Sequence, residues 1–333
     1  MAAPEFPVDL VYSWSDGGGE GRGEARAEWL ARSADVCMDA ATPNRVRDRG
    51  ELRYSLRSVH AHLPWVGTIH LIVSGGRRPG WIVDHPRVRF VEDTEIFPDP
   101  GHLPTFNSQA IECHLERVPG LADHYLYAND DFLFCRPVGW RSYFRPDGAP
   151  LVAWWRYGWT ARVRGKRFHQ GWRGRPDPAE SAFQNAWMNV NALIDGEFGE
   201  RPRYVSRHHA SPLRMGMLVE AGRLFPEAMA RTSRSRFRST TDVAPVALAQ
   251  HVALQQRRAV PSQGGLRELV VLVGDDPRLN ARRLRQARLL RPHLLCLNDM
   301  TSAEAAPEVD TQVRVFLERL FPEPSPFEAP LTP

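Results

Sequence analysis

The stretch Leu126-Tyr-Ala-Asn-Asp-Asp-Phe-Leu-Phe134 places two adjacent carboxylates, Asp130 and Asp131, inside an otherwise apolar run. A buried parallel strand is a nearly continuous apolar segment, so residues 125–128 predict a core strand that ends at the acids. In open α/β sheets ligands bind at the carboxyl ends of strands, and paired carboxylates there suit Mg²⁺ or Mn²⁺ holding a diphosphate. The alternative is an ordinary turn, because Asn-Asp is common turn chemistry. Apolar residues resume directly after the acids, and this favours the metal site.

Further apolar runs predict strands at residues 8–14, 68–73, 88–91, 269–273 and 294–297. They alternate with helical patterns, which favours an α/β fold whose mostly parallel, Rossmann-like sheet is flanked by helices. The last run ends in Asn298-Asp299 and so repeats the strand-then-acid pattern. After Pro137 the chain becomes rich in tryptophan and arginine with little periodicity, which predicts an elaborated helical and aromatic-rich insertion.

We therefore predict one catalytic domain over residues 1–333, in four parts. The parts are a nucleotide- and metal-binding half (1–145), the insertion (146–265), a return to the sheet with a C-terminal helix (266–321) and a disordered tail (322–333).

The amino-acid composition limits which classes of protein the chain can belong to. Of the 333 residues 42% are hydrophobic and 25% charged, which is ordinary for a soluble globular protein. The sequence has neither the ~20-residue apolar run of a membrane span nor signal-peptide features at its start, so a cytoplasmic protein is expected. The four cysteines lack metal-binding spacing and are expected to be free thiols.

Arginine concentrates at residues 156–175 and 231–238. Because guanidinium forks match phosphate oxygens, an anionic substrate, a polyanionic acceptor or nucleic acid would each fit, although base composition of the genome would produce the same excess. A nucleic-acid-binding module is disfavoured, since it has no use for buried carboxylates at strand ends. The segment 231–242 is either a solvated loop or a phosphate clamp.

Four blocks in one order carry a family resemblance. They comprise residues 8–17; residues 47–57 running on through 102–108 to 129–131; His208, Phe225-Pro226 and residues 235–238; and residues 296–299. Together they resemble the four conserved regions of the Stealth family. That family includes bacterial capsule polymerases that transfer hexose-1-phosphate and the catalytic subunit of the UDP-GlcNAc lysosomal-enzyme N-acetylglucosamine-1-phosphotransferase.

The resemblance implies a glycosyltransferase-A-like fold and assigns roles to residues. The family's metal-linked aspartate matches Asp131, its catalytic histidine matches His208, and its essential arginine matches Arg238. Metal ligation is expected from Asp131 together with Asp130 or Asp299, whose role as ligand or scaffold stays open. The residues expected to bind substrate are Asp9, Trp14, Asp16, Gly17, Arg53, Arg57, Asn107, Asn191, His209 and Arg236.

The reaction implied is transfer of a sugar 1-phosphate, with N-acetylglucosamine the expected sugar, from a UDP-sugar to a hydroxyl of a glycan or glycoside. UMP would leave. Mg²⁺ or Mn²⁺ would hold the diphosphate, Arg238 with Arg53 or Arg57 would clamp its oxygens, and His208, or His209 beside it, would accept the proton. The alternative is a conventional glycosyltransferase that releases UDP. The implied setting is cell-surface or capsular polysaccharide synthesis, without a membrane span, at most peripheral to a polysaccharide-synthesis complex.

Overall fold

The computed structural model describes residues 3–15, 22–33, 36–42, 44, 47–153, 181–199, 209–262, 266–302 and 307–330. Asp16, Gly17, His208 and most of the tryptophan- and arginine-rich segment, residues 154–180, lie outside the described residues. Within the described part, no helix combines the length and the apolar character needed to cross a bilayer.

The larger sheet contains five described strands in the order β3-β2-β1-β4-β7. They are β1 (Val8–Ser13), β2 (Ile69–Val73), β3 (Val88–Glu92), β4 (His124–Asn129) and β7 (Ser211–Arg214). The first four are mutually parallel and β7 is antiparallel to β4, which confirms the mostly parallel sheet. From β1 the chain adds strands first on one side and then, with β4, on the other. The crevice between the carboxyl ends of β1 and β4 is therefore a topological switch point, where α/β folds bind ligands.

Both faces of this sheet are buried, as the continuous apolar strands predict. Leu10 and Tyr12 on β1 pack into one core, while Val11 between them packs into the other. On β4 the same alternation places Leu126 in one core and Tyr127 in the other. Successive side chains of a strand point to opposite faces, so one apolar run supplies two cores.

A second, smaller sheet has the order β5-β10-β9. Its strands are β5 (Phe132–Phe134), β9 (Glu268–Val273) and β10 (Leu294–Asp299), with β10 parallel to β9 and antiparallel to β5. The prediction that residues 266–321 return to the first sheet is wrong, because β10 finds its partner in β5. Asp130 and Asp131 form the turn between β4 and β5, as the alternative interpretation of this stretch predicts. A short parallel pair, β6 (Leu151–Ala153) and β8 (Val260–Ser262), completes the described strands.

Helices cover both sheets. The described helices are α1 (Arg22–Arg32), α2 (Glu51–His62), α3 (Asp93–Ile96), α4 (Ser108–Glu112), α5 (Ala182–Phe198), α6 (Met217–Leu224), α7 (Pro226–Arg234), α8 (Pro245–Gln255), α9 (Pro277–Leu290) and α10 (Pro307–Leu320). Helices α5 to α8 pack in the core that contains Val11 and Tyr127. Helices α9 and α10 bury their apolar faces, including Leu284 and Val313, against β9 and β10.

The prediction of a disordered tail is wrong for residues 322–330. Phe327 is fully buried, its carbonyl oxygen accepts from the Val83 amide at 2.9 Å, and the Ala329 amide donates to the Trp81 carbonyl at 2.8 Å. Periodicity could not show this, because one buried aromatic residue and a few backbone hydrogen bonds hold the segment without any regular element.

Candidate functional site

A cleft of about 240 Å³ opens at the carboxyl ends of the strands. Its walls come from the residues after β1 and β4, the last residues of β10, the start of α4 and the start of α2. The described residues that line it include Ser13, Trp14, Ser15, Asn44, Arg47, Glu51, Ser74, Thr105, Phe106, Asn107, Ser108, Asn129, Asp130, Asp131, Arg238, Asn298 and Asp299. Both strand ends that carry an Asn-Asp sequence therefore face one cavity, although they belong to different sheets.

The diacid turn concentrates negative charge on the cleft wall. Burial, reinforced by the neighbouring Asp131 and Glu51, raises the pKa of Asp130 well above its usual range. The Cys296 thiol donates to Oδ2 of Asp131 at 3.2 Å, and the Leu297 amide donates to the Asp131 carbonyl oxygen at 3.3 Å. Grouped carboxylates of this kind are stabilised by a bound cation, because each one raises the cost of ionising the next.

The carboxyl groups of the diacid turn suit a cation that is coordinated partly by the protein and partly by a substrate. Within the described residues no group of three or more His, Cys, Asp and Glu side chains forms a complete metal cage. Mg²⁺ on a diphosphate does not need one, since it is held by one or two carboxylates, substrate phosphates and water. Asp130 and Asp131 fit that requirement.

Asp299 has a different environment. Its Oδ1 accepts from the amide and the hydroxyl of Thr301 at 2.8 and 2.6 Å, and its Oδ2 lies 2.9 Å from Nη1 of Arg49 and 3.8 Å from Nη1 of Arg47. A cation would have to approach beside two guanidinium groups, which Coulomb repulsion opposes. The contacts therefore favour Asp299 as a positioning residue.

Arg238 reaches the opposite wall of the cleft, where its Nη2 donates to Ser108 Oγ at 2.8 Å. Its segment is fixed to the start of α4: the Phe106 amide donates to the Arg236 carbonyl at 2.8 Å, and Asn107 Nδ2 donates to the Ser235 carbonyl at 3.1 Å. Asn107 also caps α4, its Oδ1 accepting from the Gln109 amide at 3.1 Å. The arginine-dense segment is thus anchored beside the cleft, which favours the clamp over the solvated loop.

The cleft also contains a carboxyl group that sequence reasoning missed. Glu51 begins α2 directly after Gly50, whose φ of 87° turns the chain, and only 8% of Glu51 is exposed. Burial raises its pKa to about 7, even though the Arg49 amide donates to its Oε2 at 2.6 Å. In the sequence, Glu51 has the position of an acid in the first turn of a helix, and such acids are usually exposed to water. No sequence pattern therefore indicated that it is buried.

Several expected site residues lie elsewhere. Arg57 pairs with Glu328 of the C-terminal segment through contacts of 2.8 and 2.7 Å, and Arg53 lies 3.7 Å from the same carboxylate. Neither Arg53 nor Arg57, which were expected to clamp the diphosphate, is among the described residues that line the cleft. The buried carboxylate of Glu328 holds both guanidinium groups instead.

Asp9 sits at the amino-terminal half of β1, opposite the cleft edge, where its carboxylate accepts from the Thr68 and Ala122 amides, each at 2.9 Å, and lies 3.1 Å from His70 Nε2. These contacts give Asp9 a structural role. They join β1 to the residues just before β2 and β4, at the edge of the sheet opposite the cleft.

Three further expected ligands do not line the cleft. Arg236 donates to the Gly101 and Leu103 carbonyls and stacks over Trp29. Asn191 is buried on α5, and buried His209 contacts the Ala210 carbonyl and the Tyr143 ring. Trp14, Asn107, Asp130, Asp131, Arg238 and Asp299 are the expected residues that the fold brings together.

Comparison with known proteins identifies relatives of this chain. Models of three conserved regions match: Stealth protein conserved region 2 over residues 45–152, conserved region 3 over 207–253 and conserved region 4 over 282–333. An exopolysaccharide phosphotransferase of Streptomyces coelicolor is 38% identical over 98% of this chain and 54% of its own length. The exopolysaccharide phosphotransferase CpsY of Mycobacterium tuberculosis is 35% identical over 97% of this chain and 58% of its own length.

The chain thus spans a little more than half the length of these relatives. The matched regions contain the diacid turn, the Arg238 segment and Asp299, which are the parts of the cleft described above. On both grounds, the chain belongs to the Stealth family.

Proposed function

We propose that the protein transfers a sugar 1-phosphate from a UDP-sugar to a hydroxyl of a growing cell-surface polysaccharide, with release of UMP. One observation carries the proposal: Asp130, Asp131 and Arg238 face one cleft at the switch point of a parallel sheet. The relatives named exopolysaccharide phosphotransferases support the reaction class. N-acetylglucosamine is the proposed sugar and a glycosyltransferase-A-like fold the proposed fold, both from the family resemblance.

The chemistry needs positioning, charge neutralisation and a proton acceptor. The acceptor oxygen attacks the phosphorus next to the sugar, the bond from that phosphorus to the oxygen bridging it to UMP breaks, and UMP leaves with that oxygen. Asp130 and Asp131 would hold Mg²⁺ or Mn²⁺, which supplies charge neutralisation at the diphosphate. Arg238, anchored on Ser108, is placed to stabilise the negative charge on the oxygens of the transferred group.

The proton of the acceptor hydroxyl needs a base on the cleft. The family resemblance assigns this role to His208, which lies outside the described residues. Glu51, with its pKa raised to about 7, is a second candidate because a carboxyl that titrates near neutrality exchanges protons efficiently there. Comparing His208→Ala with Glu51→Gln separates the two: the base variant loses turnover while nucleotide binding stays nearly intact.

The decisive experiment incubates the purified protein with a panel of UDP-sugars, an oligosaccharide acceptor and Mg²⁺, and separates UMP from UDP. UMP with a phosphodiester product supports the proposal, whereas UDP would establish a conventional glycosyltransferase. A matched pair of variants ties the activity to the cleft. Arg238→Gln should abolish turnover, while Arg236→Gln, two residues away but off the cleft, should retain it.

A further inference from the structure

One face of the smaller sheet carries a concentration of positive charge. The β9–α9 surface, meaning strand β9, helix α9 and Arg291, contains Arg278, Arg282, Arg283, Arg285, Arg288 and Arg291. Residues 277–298 include no Asp or Glu. Because these six arginines exceed the whole-chain net charge of +4, the rest of the chain is net negative. The charge is therefore local and does not reflect a uniform excess of arginine.

None of these arginines pairs with an acidic side chain in the described part of the chain. Among the described residues, only Arg283 makes a side-chain hydrogen bond, donating to the Leu272 carbonyl at 2.6 Å, and none of the six forms an ion pair. Elsewhere exposed arginines do find acids, as Arg32 does with Glu28 and Arg223 with Glu220. Arg278, Arg282 and Arg285 follow helical spacing and are exposed, so they form one outward ridge on α9.

The same surface exposes apolar side chains. Of the nine large apolar side chains that are exposed in the described part of the chain, three lie on α9. Leu289, 71% exposed, continues the arginine ridge, and by helical spacing Leu279 and Leu290 flank the ridge on the side of Arg283. Water-exposed leucines beside unpaired arginines are characteristic of proteins that contact a membrane surface.

A cavity of about 490 Å³ opens at the end of α9. Its wall is partly apolar, with Leu295, Phe316, Leu320 and Phe321, and partly polar, with His62 and three arginines, Arg288, Arg291 and Arg319, that form no ion pair within the described part of the chain. A cavity with apolar and cationic groups in its wall matches an acyl chain attached to an anionic headgroup.

We propose that the β9–α9 surface docks on an anionic lipid bilayer. A soluble polyanion would use the arginines but leave the leucines and the apolar cavity without a role. A second copy of the chain would bring like charges together, and strand addition at β9 is opposed by Arg283, which already occupies an edge carbonyl. Only a bilayer with anionic headgroups uses the charge and the apolar groups at once.

The proposal is independent of the phosphotransfer reaction. Helix α9 begins four residues after Val273, at the edge of the sheet that carries the cleft, and ends four residues before β10 begins at the opposite edge. Arg288, Leu289 and Leu290 therefore lie towards the edge away from the cleft.

The test measures sedimentation of the purified protein with phosphatidylcholine vesicles, with and without phosphatidylglycerol. The wild type should bind only the anionic vesicles. The triple variant Arg282→Gln/Arg285→Gln/Arg288→Gln should bind them on the order of 100-fold more weakly, since each arginine near such a surface contributes about fivefold. The control, Arg32→Gln/Arg145→Gln/Arg223→Gln, removes the same charge from other exposed sites and should bind like the wild type.

A second variant separates a bilayer from a soluble polyanion. Leu289→Ser/Leu290→Ser should lower vesicle binding roughly tenfold and leave binding to dextran sulfate unchanged. Both leucines are exposed, so the fold should survive, which thermal unfolding checks. Absence of anionic-lipid binding, equal losses in the triple variant and its control, or vesicle binding that ignores the leucines would each overturn the proposal.

Discussion

Two strand ends in this protein carry the same short pattern, an apolar strand followed by Asn-Asp, and they have opposite environments. After β4, Asp130 and Asp131 lie beside the carboxyl group of Glu51, and the pKa of Asp130 is raised well above its usual range by burial and by these neighbours. After β10, Asp299 is held by Thr301 and Arg49. At the first end the carboxyl groups are crowded by other acids, whereas at the second end the carboxylate is paired with guanidinium groups.

The same short pattern therefore leads to different chemistry, depending on which charges the fold brings beside the carboxylate. The acids after β4 lie beside another carboxyl group, and they are the ones for which we propose a cation. Asp299 already has two guanidinium groups within 4 Å, so it positions Arg47 and Arg49. Four substitutions test this contrast.

The largest effect is expected from Asp131→Asn. A neutral amide is a poorer ligand for a hard cation, so transition-state stabilisation should fall by about 4 kcal/mol, on the order of 1000-fold in turnover. Turnover is measured as UMP release across a Mg²⁺ titration. An Asp131→Asn variant that stays active and no longer responds to Mg²⁺ would contradict the ligand role.

Glu51→Gln should increase stability at neutral pH. The folded pKa of about 7 lies above the ordinary 4.5, so ionising Glu51 costs stability, and that cost develops as pH rises from 4.5 to 7. The variant should therefore be more stable than the wild type above pH 7, by about 3 kcal/mol at most, and its turnover should be lost only if Glu51 and not His208 is the base. Urea unfolding at pH 5 and pH 8 checks this, and an equal effect at both pH values would show that Glu51 ionises normally.

Asp299→Asn tests the strand end whose carboxylate is paired with guanidinium groups. It removes one of the two carboxylate partners of Arg49, whose side chain is 4% exposed and which keeps its contact with Asp310, and should cost about 2 kcal/mol of unfolding free energy, while turnover per folded molecule falls less than tenfold. Arg49→Gln and the double variant complete a double-mutant cycle, which gives the interaction energy of the Asp299–Arg49 pair. A loss of turnover as large as that of Asp131→Asn, without loss of stability, would make Asp299 a metal ligand instead.

Cys296→Ala is the mildest change. It removes the thiol that donates to Asp131 Oδ2, so the carboxylate loses one orienting contact, and turnover should fall about tenfold with a higher Mg²⁺ requirement. Cys296→Ser preserves a donor and should recover most of the loss. If both variants match the wild type in Mg²⁺ response, the thiol does not position Asp131.

Most of the regular structure was predictable, because it depends on patterns that are local. The strands predicted at residues 8–14, 125–128, 269–273 and 294–297 all appear where the apolar runs placed them. The pairing of β10 with β5 was not predictable, since an apolar run reveals that a strand is buried but not which neighbour buries it. The ordered C-terminal segment was missed for the same reason.

The α/β class, the mostly parallel sheet, the acids at strand ends and the family all follow from residue type and spacing along the chain. Which charged groups meet depends on how the chain folds. The tertiary structure assigned Arg57 to Glu328, Asp9 to the far edge of the sheet and Arg49 to Asp299, and it brought Glu51 to the cleft. Ion pairs form between residues far apart in the chain, as Arg57 and Glu328 do across 271 positions, and their partners depend on packing.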